Sequence, residues 1–130
     1  MRESLAKRPD GQAVLVVDDE PTVRMLVVET LEEYGYAIFE AEDAASALDI
    51  LKAPGRIDLM VTDITLPGQD GCDLAKDAKR LRPELKVLFM TGYAQNLDTH
   101  VSTKPAGADI IVKPFSLEAL AKKVRAVIDN

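Results

Sequence analysis

The sequence predicts an α/β fold in which helices cover both faces of a five-stranded parallel sheet. Five short apolar runs are separated by longer stretches whose apolar residues recur with the period of an α-helix. Strand and helix therefore alternate along the chain, an order typical of a parallel sheet with right-handed crossovers. The predicted strands are residues 13–17, 36–41, 57–62, 86–91 and 109–112.

The first strand shows why these runs are interpreted as buried on both faces. Its sequence, AVLVV over residues 13–17, does not alternate between apolar and polar residues as a half-exposed strand would. Three consecutive acids follow it at once: Asp18, Asp19 and Glu20. Like charges at the end of a buried strand repel one another and are costly to desolvate, so this cluster requires an explanation.

Four stretches between and after the strands predict amphipathic helices. Pro21 suits the first turn of the first helix, Gly35 suits the position just past its end, and Ser116 suits the N-cap of the last helix. The predicted buried faces are Val23, Leu26, Val27, Thr30, Leu31 and Tyr34; Ala44, Ala47, Leu48 and Leu51; Leu74, Ala75, Ala78 and Leu81; and Leu117, Leu120, Ala121, Val124, Val127 and Ile128.

The first residues of the chain show neither pattern. Residues 1–11 are polar and end in a Pro-Asp-Gly turn signal, so we expect a flexible leader. The predicted domain then covers residues 12–130.

Composition and charge restrict the class of protein. The 130 residues carry a net charge of −6, which argues against a nucleic-acid-binding surface because phosphate contacts need clustered Lys and Arg. A lone cysteine, Cys72, excludes an internal disulfide and fits a reducing cytoplasm. No apolar stretch approaches the length of a membrane span, and the N-terminus has no hydrophobic signal core. We therefore expect a soluble cytoplasmic domain that binds neither nucleic acid nor membrane.

Polar residues with shared chemistry follow four of the predicted strands. The carboxyl ends of parallel strands meet at one edge of a sheet, and ligands bind there. Three carboxylates, one hydroxyl and one ammonium are expected at this edge, from Asp18, Asp19, Asp63, Thr91 and Lys113. Crowded carboxylates suit Mg²⁺, and a hydroxyl and an ammonium beside it suit a phosphoryl group. Asp63, which has no adjacent acid, is then the natural nucleophile.

Each of these residues taken singly has an ordinary structural explanation. An Asp at a strand end commonly caps the next helix, which would suffice for Asp18 or Asp19 alone. Thr91 before Gly92 fits turn chemistry, and Lys113 fits a solvated loop. Their joint occurrence at the ends of the first, third, fourth and fifth strands favours one shared site.

The sequence resembles the receiver domains of two-component response regulators. The matching pieces are VLVVDDEP, DLMVTDITLPGQDG, VLFMTGYA and IIVKPF, in the order and at the spacing of that family. The resemblance extends from about Gln12 to Asn130 and implies a flavodoxin-like strand order, 2-1-3-4-5. It also implies a phosphoacceptor switch of a two-component phosphorelay, a signalling module rather than a turnover enzyme.

The resemblance implies a role for each residue at the sheet edge. Asp63 looks like the phosphoacceptor, which attacks the phosphorus of a phosphohistidine on a partner histidine kinase or phosphotransfer protein. Asp19 looks like a direct Mg²⁺ ligand, with Asp18 close by and acting through water. Asp63 completes the carboxylate ligands, and Thr65 supplies a backbone carbonyl.

The remaining two residues of the edge correspond to the phosphoryl-binding positions of the family. Thr91 should bind a phosphoryl oxygen. Lys113 should pair with the phosphoryl group or, before phosphorylation, with Asp63. The peptide bond between Lys113 and Pro114 is often cis in this family.

The main departures of the sequence from the family are at Ile110 and in residues 94–109. Ile110 stands where most members carry Tyr or Phe, so an aromatic switch is not expected there. Residues 94–109, where the family has its fourth helix, are rich in Thr, Asn and Asp and predict a short or irregular helix. These features resemble receivers attached to hybrid histidine kinases. With no kinase or output segment apparent, we expect a stand-alone or excised receiver.

Partners and rival functions follow from the same residues. The face formed by the fifth strand and the last helix is expected to bind a downstream protein. A phosphatase or dehalogenase with an aspartate nucleophile would need a second Asp where Thr65 stands. A flavin-binding protein would bring its phosphate against Asp18 and Asp19. A receiver that acts only as a docking surface is the third alternative.

Overall fold

A parallel sheet of five strands forms the centre of the protein, in the order β2-β1-β3-β4-β5. A computed structural model describes residues 12–66, 69–92 and 109–129. The strands are β1 (Ala13–Val17), β2 (Ala37–Ala41), β3 (Leu59–Asp63), β4 (Lys86–Thr91) and β5 (Asp109–Val112). All neighbouring strands of this five-stranded sheet are parallel, so the predicted fold class and strand order are confirmed. The expected leader and the expected helix in residues 94–109 lie outside the described residues, apart from Asp109 in β5.

Two predicted strand boundaries were wrong by one or two residues. β2 begins at Ala37 rather than at residue 36, and β3 covers 59–63 rather than 57–62. The carboxylate of Asp58 accepts the amide of Ala13 at 2.8 Å, so a side-chain oxygen, rather than a backbone carbonyl of β3, bonds the first amide of β1. At the other end, Asp63 remains in register with Met90 of β4, which makes the predicted nucleophile part of the sheet.

Four helices flank the sheet in the described part of the chain. They are α1 (Pro21–Glu33), α2 (Ala44–Lys52), α3 (Gly71–Leu81) and α4 (Leu117–Asp129). Pro21 begins α1, and Gly35 follows α1 with φ +95°, a backbone conformation that glycine adopts without a steric cost. Ser116 Oγ accepts the amide of Ala119 at 3.0 Å, as its predicted N-cap role requires. None of the described helices combines the length and the apolar character that a membrane span requires.

Each face of the sheet packs against one pair of helices. Val14 and Val16 of β1 lie in a buried cluster with residues of α1 and α4, whereas Leu15 and Val17 lie in a second cluster with residues of α2 and α3. Because successive residues of a strand point to opposite faces, an uninterrupted apolar run such as 13–17 fills both clusters. The expectation of a strand buried on both faces is therefore confirmed.

Three residues assigned to buried helix faces are instead exposed. Leu26, Leu81 and Leu117 keep 43%, 43% and 40% of their surface accessible to solvent. Leu81 and Leu117 are terminal residues of α3 and α4, where a helix extends past its contact with the sheet. In α1 the buried arc is centred on Val27 and Leu31, so Leu26 and Val28 lie on its two flanks, and Val28 is the one that is covered.

Arg82, just after α3, closes the end of α2 opposite to the predicted site. Its guanidinium donates to the carbonyl oxygens of Leu51, Ala53 and Gly55 at 3.0, 2.8 and 2.6 Å. The last carbonyls of a helix have no partner within the helix, and a planar guanidinium with five donors can serve several of them at once. Arg82 therefore joins α2 to α3.

Replacing Arg82 with Met is expected to lower the free energy of unfolding by about 1–3 kcal/mol, because helix-end carbonyls lose charged donors. Urea denaturation followed by circular dichroism measures the change. The matched control is Arg80→Met, since Arg80 forms an exposed ion pair with Asp77 that contributes less than about 1 kcal/mol. Equal losses in the two variants would contradict the role given to Arg82.

Candidate functional site

The site lies at the carboxyl edge of the sheet, where three carboxylates and an ammonium meet. Asp18 follows β1, Asp63 is the last residue of β3, and Lys113 follows β5. One carboxylate oxygen each from Asp18, Asp19 and Asp63 lie within 4.8 Å of one another. Residues distant in the sequence are thus brought together as the strand-end pattern predicts.

Asp63 combines a fixed backbone with an accessible carboxylate. Its Oδ1 accepts the amide of Thr65 at 3.3 Å, and its Oδ2 accepts from Lys113 Nζ at 3.1 Å. The side chain keeps 16% of its surface exposed, so a reactant can reach it from solvent. Both hydrogen bonds orient the carboxylate and leave further lone pairs on each oxygen.

Lys113 is the cation that the carboxylates share. Its backbone amide donates to the Thr91 carbonyl at 2.7 Å, and its Nζ lies 3.1 Å from Asp63 Oδ2 and 3.6 Å from Asp18 Oδ2. Burial alone would lower the pKa of Lys113, but the neighbouring charges of Asp63 and Asp18 outweigh burial and raise it. The ammonium therefore stays charged, and the predicted pairing of Lys113 with Asp63 is present. The peptide bond between Lys113 and Pro114 is cis, as the family resemblance implies.

Asp18 is the most deeply buried acid of the site, with no exposed surface. Its Oδ1 accepts the amide of Glu20 at 2.9 Å, which is an Asx turn rather than the expected helix cap, because Glu20 itself is the N-cap residue of α1. No described group donates a hydrogen bond to Oδ2, because Lys113 Nζ is too distant at 3.6 Å. Burial raises the pKa of Asp18 and the charges of Asp63 and Asp19 raise it further, while the Glu20 amide and Lys113 act in the opposite direction.

These carboxylates fit a divalent cation. An undonated, buried carboxylate oxygen is costly unless a proton or a cation satisfies it. Asp18 Oδ2 is such an atom, and Asp19 and Asp63 supply oxygens beside it. The donor set is all oxygen, the type that Mg²⁺ prefers. Thr65 is exposed beside Asp63, and its expected carbonyl contribution to a metal stays a prediction.

The last two predicted positions differ in their surroundings. Thr91 ends β4, is almost fully buried and lies opposite Val112 of β5. Ile110 lies opposite Phe89 and is partly buried against the cluster that α2 and α3 cover. An aliphatic side chain therefore occupies the position where most family members carry a ring. The phosphoryl-binding role of Thr91 stays a prediction.

Gly71 is a residue of the site that sequence reasoning missed. It begins α3, and its amide donates to the Ile64 carbonyl at 2.6 Å. A Cβ on Gly71 would collide with the carbonyl oxygen of Asp63 and approach Ile64 Cα to 2.9 Å. The Asp-Gly pair at 70–71 was the available signal, because such pairs mark turns in which a side chain would not fit. Asp70 caps the same helix, accepting the Cys72 amide at 2.6 Å.

Comparison with known proteins agrees with the observed fold. A family model described as the response regulator receiver domain matches residues 14–125. The sensor kinase CckA of Brucella abortus is 36% identical over 120 residues, which are 90% of this chain and 12% of that protein. The response regulator receiver protein CpdR of the same organism is 32% identical over 115 residues, 88% of this chain and 95% of that protein.

A solved structure shows the same fold with a bound group. The response regulator protein TrrA of Thermotoga maritima, crystallised in complex with Mg²⁺ and BeF, superposes with a TM-score of 0.76 at 33% identity. The match covers 89% of this chain and 98% of that one.

Replacing Gly71 with Ala is expected to lower the free energy of unfolding by about 1–3 kcal/mol, because the new Cβ displaces the backbone of Asp63 and Ile64. Urea denaturation measures this loss. Lys76→Ala, on the exposed side of the same helix, is the control and should change stability by less than about 0.5 kcal/mol. An unchanged midpoint for Gly71→Ala would contradict the close approach.

Replacing Asp18 with Asn is expected to stabilise the metal-free protein at neutral pH. The pKa of Asp18 is raised from 3.8 on folding, so the folded state favours the protonated form. The cost of the carboxylate is absent well below pH 3.8, grows as pH rises through the raised pKa, and is complete above it.

Thermal melts in EDTA, from below pH 3.8 to neutral pH, measure the difference in stability between Asp18→Asn and the wild type. The variant should melt higher than the wild type at neutral pH, and the two should converge in acid. Asp49→Asn, on the exposed side of α2, controls for the loss of one negative charge. A lower melting temperature for Asp18→Asn at neutral pH would refute the cost assigned to this carboxylate.

Proposed function

Because this chain belongs to the response regulator receiver domains of two-component systems, we propose that it accepts a phosphoryl group on Asp63 in a Mg²⁺-dependent reaction. The donor is the phosphohistidine of a histidine kinase or phosphotransfer protein. An Asp63 oxygen attacks the phosphorus, the bond from phosphorus to the imidazole nitrogen breaks, and the nitrogen keeps the electron pair. The donor ring carries a proton on its other nitrogen, so the products are an acyl phosphate on Asp63 and a neutral imidazole on the donor.

The observation that carries this proposal is the position of Asp63 between Lys113 and the other acids. A nucleophile must be oriented and reachable, and Asp63 is held by two hydrogen bonds with its carboxylate open to solvent. Lys113 is within reach of the incoming phosphoryl oxygens, whose negative charge an ammonium stabilises. Thr91, at the adjacent strand end, is proposed to donate its hydroxyl to one of those oxygens.

The cation site supports the Mg²⁺ requirement of the proposal. Asp19 and Asp63 would hold the ion directly with the Thr65 carbonyl, and Asp18 would act beside them or through water. Bound there, Mg²⁺ neutralises negative charge on the transferred group. TrrA, a relative of the same fold, is crystallised with Mg²⁺ and BeF, which supports an equivalent site here.

Phosphorylation is proposed to change the affinity of the protein for a downstream partner. On phosphorylation, Lys113 would bind the phosphoryl group and lose its present hydrogen bond to the Asp63 carboxylate. Because Lys113 directly follows β5, this change would act on the end of that strand. Exposed apolar residues flank this position, with Val112 and Leu117 at 44% and 40% exposure. The surface of β5 and α4 is therefore the proposed docking face, and Ile110 would transmit the change without an aromatic ring.

The proposed role is that of a cytoplasmic signalling module rather than a turnover enzyme. Thr65 stands where a phosphatase or dehalogenase of the rival class would place its second Asp, and the acids at Asp18 and Asp19 oppose a flavin phosphate. Cys72 is the lone cysteine of the sequence, which is compatible with a reducing compartment. A docking module without phosphorylation differs from the proposal in one measurable property, the phosphorylation of Asp63.

Incubation with acetyl phosphate and MgCl₂ should modify the wild-type chain, and EDTA should prevent it. Phosphate-affinity electrophoresis measures the modified fraction. Asp63→Asn should fall to background because an amide cannot form the acyl phosphate. Asp73→Asn, on the exposed first turn of α3, should be modified like the wild type. Equal modification of Asp63→Asn would refute the assignment, and an unmodified wild type would favour the docking module.

A further inference from the structure

Arg24 of α1 links the loop that carries Asp18 and Asp19 to strand β2. Its Nη1 donates to the backbone carbonyl of Asp18 at 2.7 Å, and its Nε donates to Glu40 Oε1 at 3.1 Å. The side chain is 18% exposed, whereas that of Glu40 is 54% exposed. Arg24 is therefore well covered and makes one bond to each of two chain segments.

The backbone of Asp18 is tied to the end of β2 on both of its polar groups. The Asp18 amide donates to the carbonyl of Ala41, the last residue of β2. The Asp18 carbonyl is held by Arg24, which is anchored on Glu40, the residue before Ala41. Without Arg24, the Ala41 bond alone would connect this part of the loop to β2 among the described contacts.

This connection opposes a force that acts on the loop. Asp18, Asp19 and Asp63 bring carboxylate oxygens within 4.8 Å of one another, so without a cation they repel and favour a spread arrangement. A hydrogen bond from a charged guanidinium to a carbonyl is stronger than a neutral one, and it acts on the backbone from which Asp18 and Asp19 project.

We propose that Arg24 is a positioning residue that holds the Asp18–Asp19 loop in the geometry that binds Mg²⁺. The inference rests on the proposed function, because it concerns the same cation site. Groups that orient metal ligands without touching the metal commonly contribute 10–100-fold to affinity. Because Arg24 acts on the backbone of the loop rather than on a carboxylate, we expect about tenfold, the lower end of that range.

The charge of Arg24 has the opposite effect on a cation, and this makes the two roles separable. A positive charge beside the acids repels Mg²⁺, so removing it would strengthen binding if Arg24 acted only through its charge. Arg24→Lys keeps the charge but loses the planar fork that reaches two acceptors at once. Weaker binding by the lysine variant therefore reports loss of position rather than loss of charge.

Isothermal titration with MgCl₂ should show about tenfold weaker binding by Arg24→Lys than by the wild type. Hydrogen exchange of the Glu20 amide, which bonds to Asp18 Oδ1, should be faster in the metal-free variant. Phosphorylation by acetyl phosphate should be slow at low MgCl₂ and return to the wild-type rate when MgCl₂ is saturating. Recovery at saturation distinguishes a displaced site from a damaged fold.

Arg82→Lys is the matched control, because Arg82 also donates to backbone carbonyls but lies at the opposite end of the sheet. It should lose stability and keep its affinity for Mg²⁺. Unchanged or stronger Mg²⁺ binding by Arg24→Lys, with a wild type that binds Mg²⁺ normally, would overturn the role of Arg24 alone. A wild type that binds no Mg²⁺ would instead overturn the cation site itself and this inference with it.

Discussion

The ammonium of Lys113 lies 3.1 Å from Asp63 and 3.6 Å from Asp18, and the metal-free site depends on this pair of contacts. Three acids at one strand edge would otherwise repel one another in a partly buried space, where electrostatic forces are weakly screened. One lysine compensates them incompletely, which is why Asp18 keeps an oxygen with no described donor. The site therefore keeps an unsatisfied carboxylate oxygen that a cation could occupy.

Hydrogen bonds to three backbone carbonyls fix the main chain around the site. Arg24 binds the carbonyl of Asp18 from α1, the Gly71 amide binds the carbonyl of Ile64 from α3, and the Lys113 amide binds the carbonyl of Thr91 from beside β5. Each bond fixes the main chain next to a functional side chain, while the carboxylates remain free to accept a ligand. A preorganised polar site requires a rigid main chain and side-chain oxygens that can still accept a ligand.

Local patterns predicted the sheet and the main residues of the site because they carry strong signals. An apolar run such as 13–17 has few alternatives to a buried strand, and topology then places Asp63 near Lys113 without any knowledge of distances. The contributions of Arg24 and Gly71 escaped prediction because both depend on contacts across the fold. An arginine in a helix and a glycine after an aspartate each have many ordinary uses.

The amino end of the sheet contributes to stability, whereas the carboxyl end carries the candidate site. At the amino end Arg82 finds three carbonyl acceptors, and Asp58 receives the Ala13 amide, so polar groups are well satisfied there. At the carboxyl end Asp18 is buried without full compensation. Substitutions at the two ends should therefore have different consequences. At the carboxyl end, replacing a buried acid would raise stability but impair the site. Stabilising contacts at the amino end therefore offset the cost of keeping these acids at the carboxyl end.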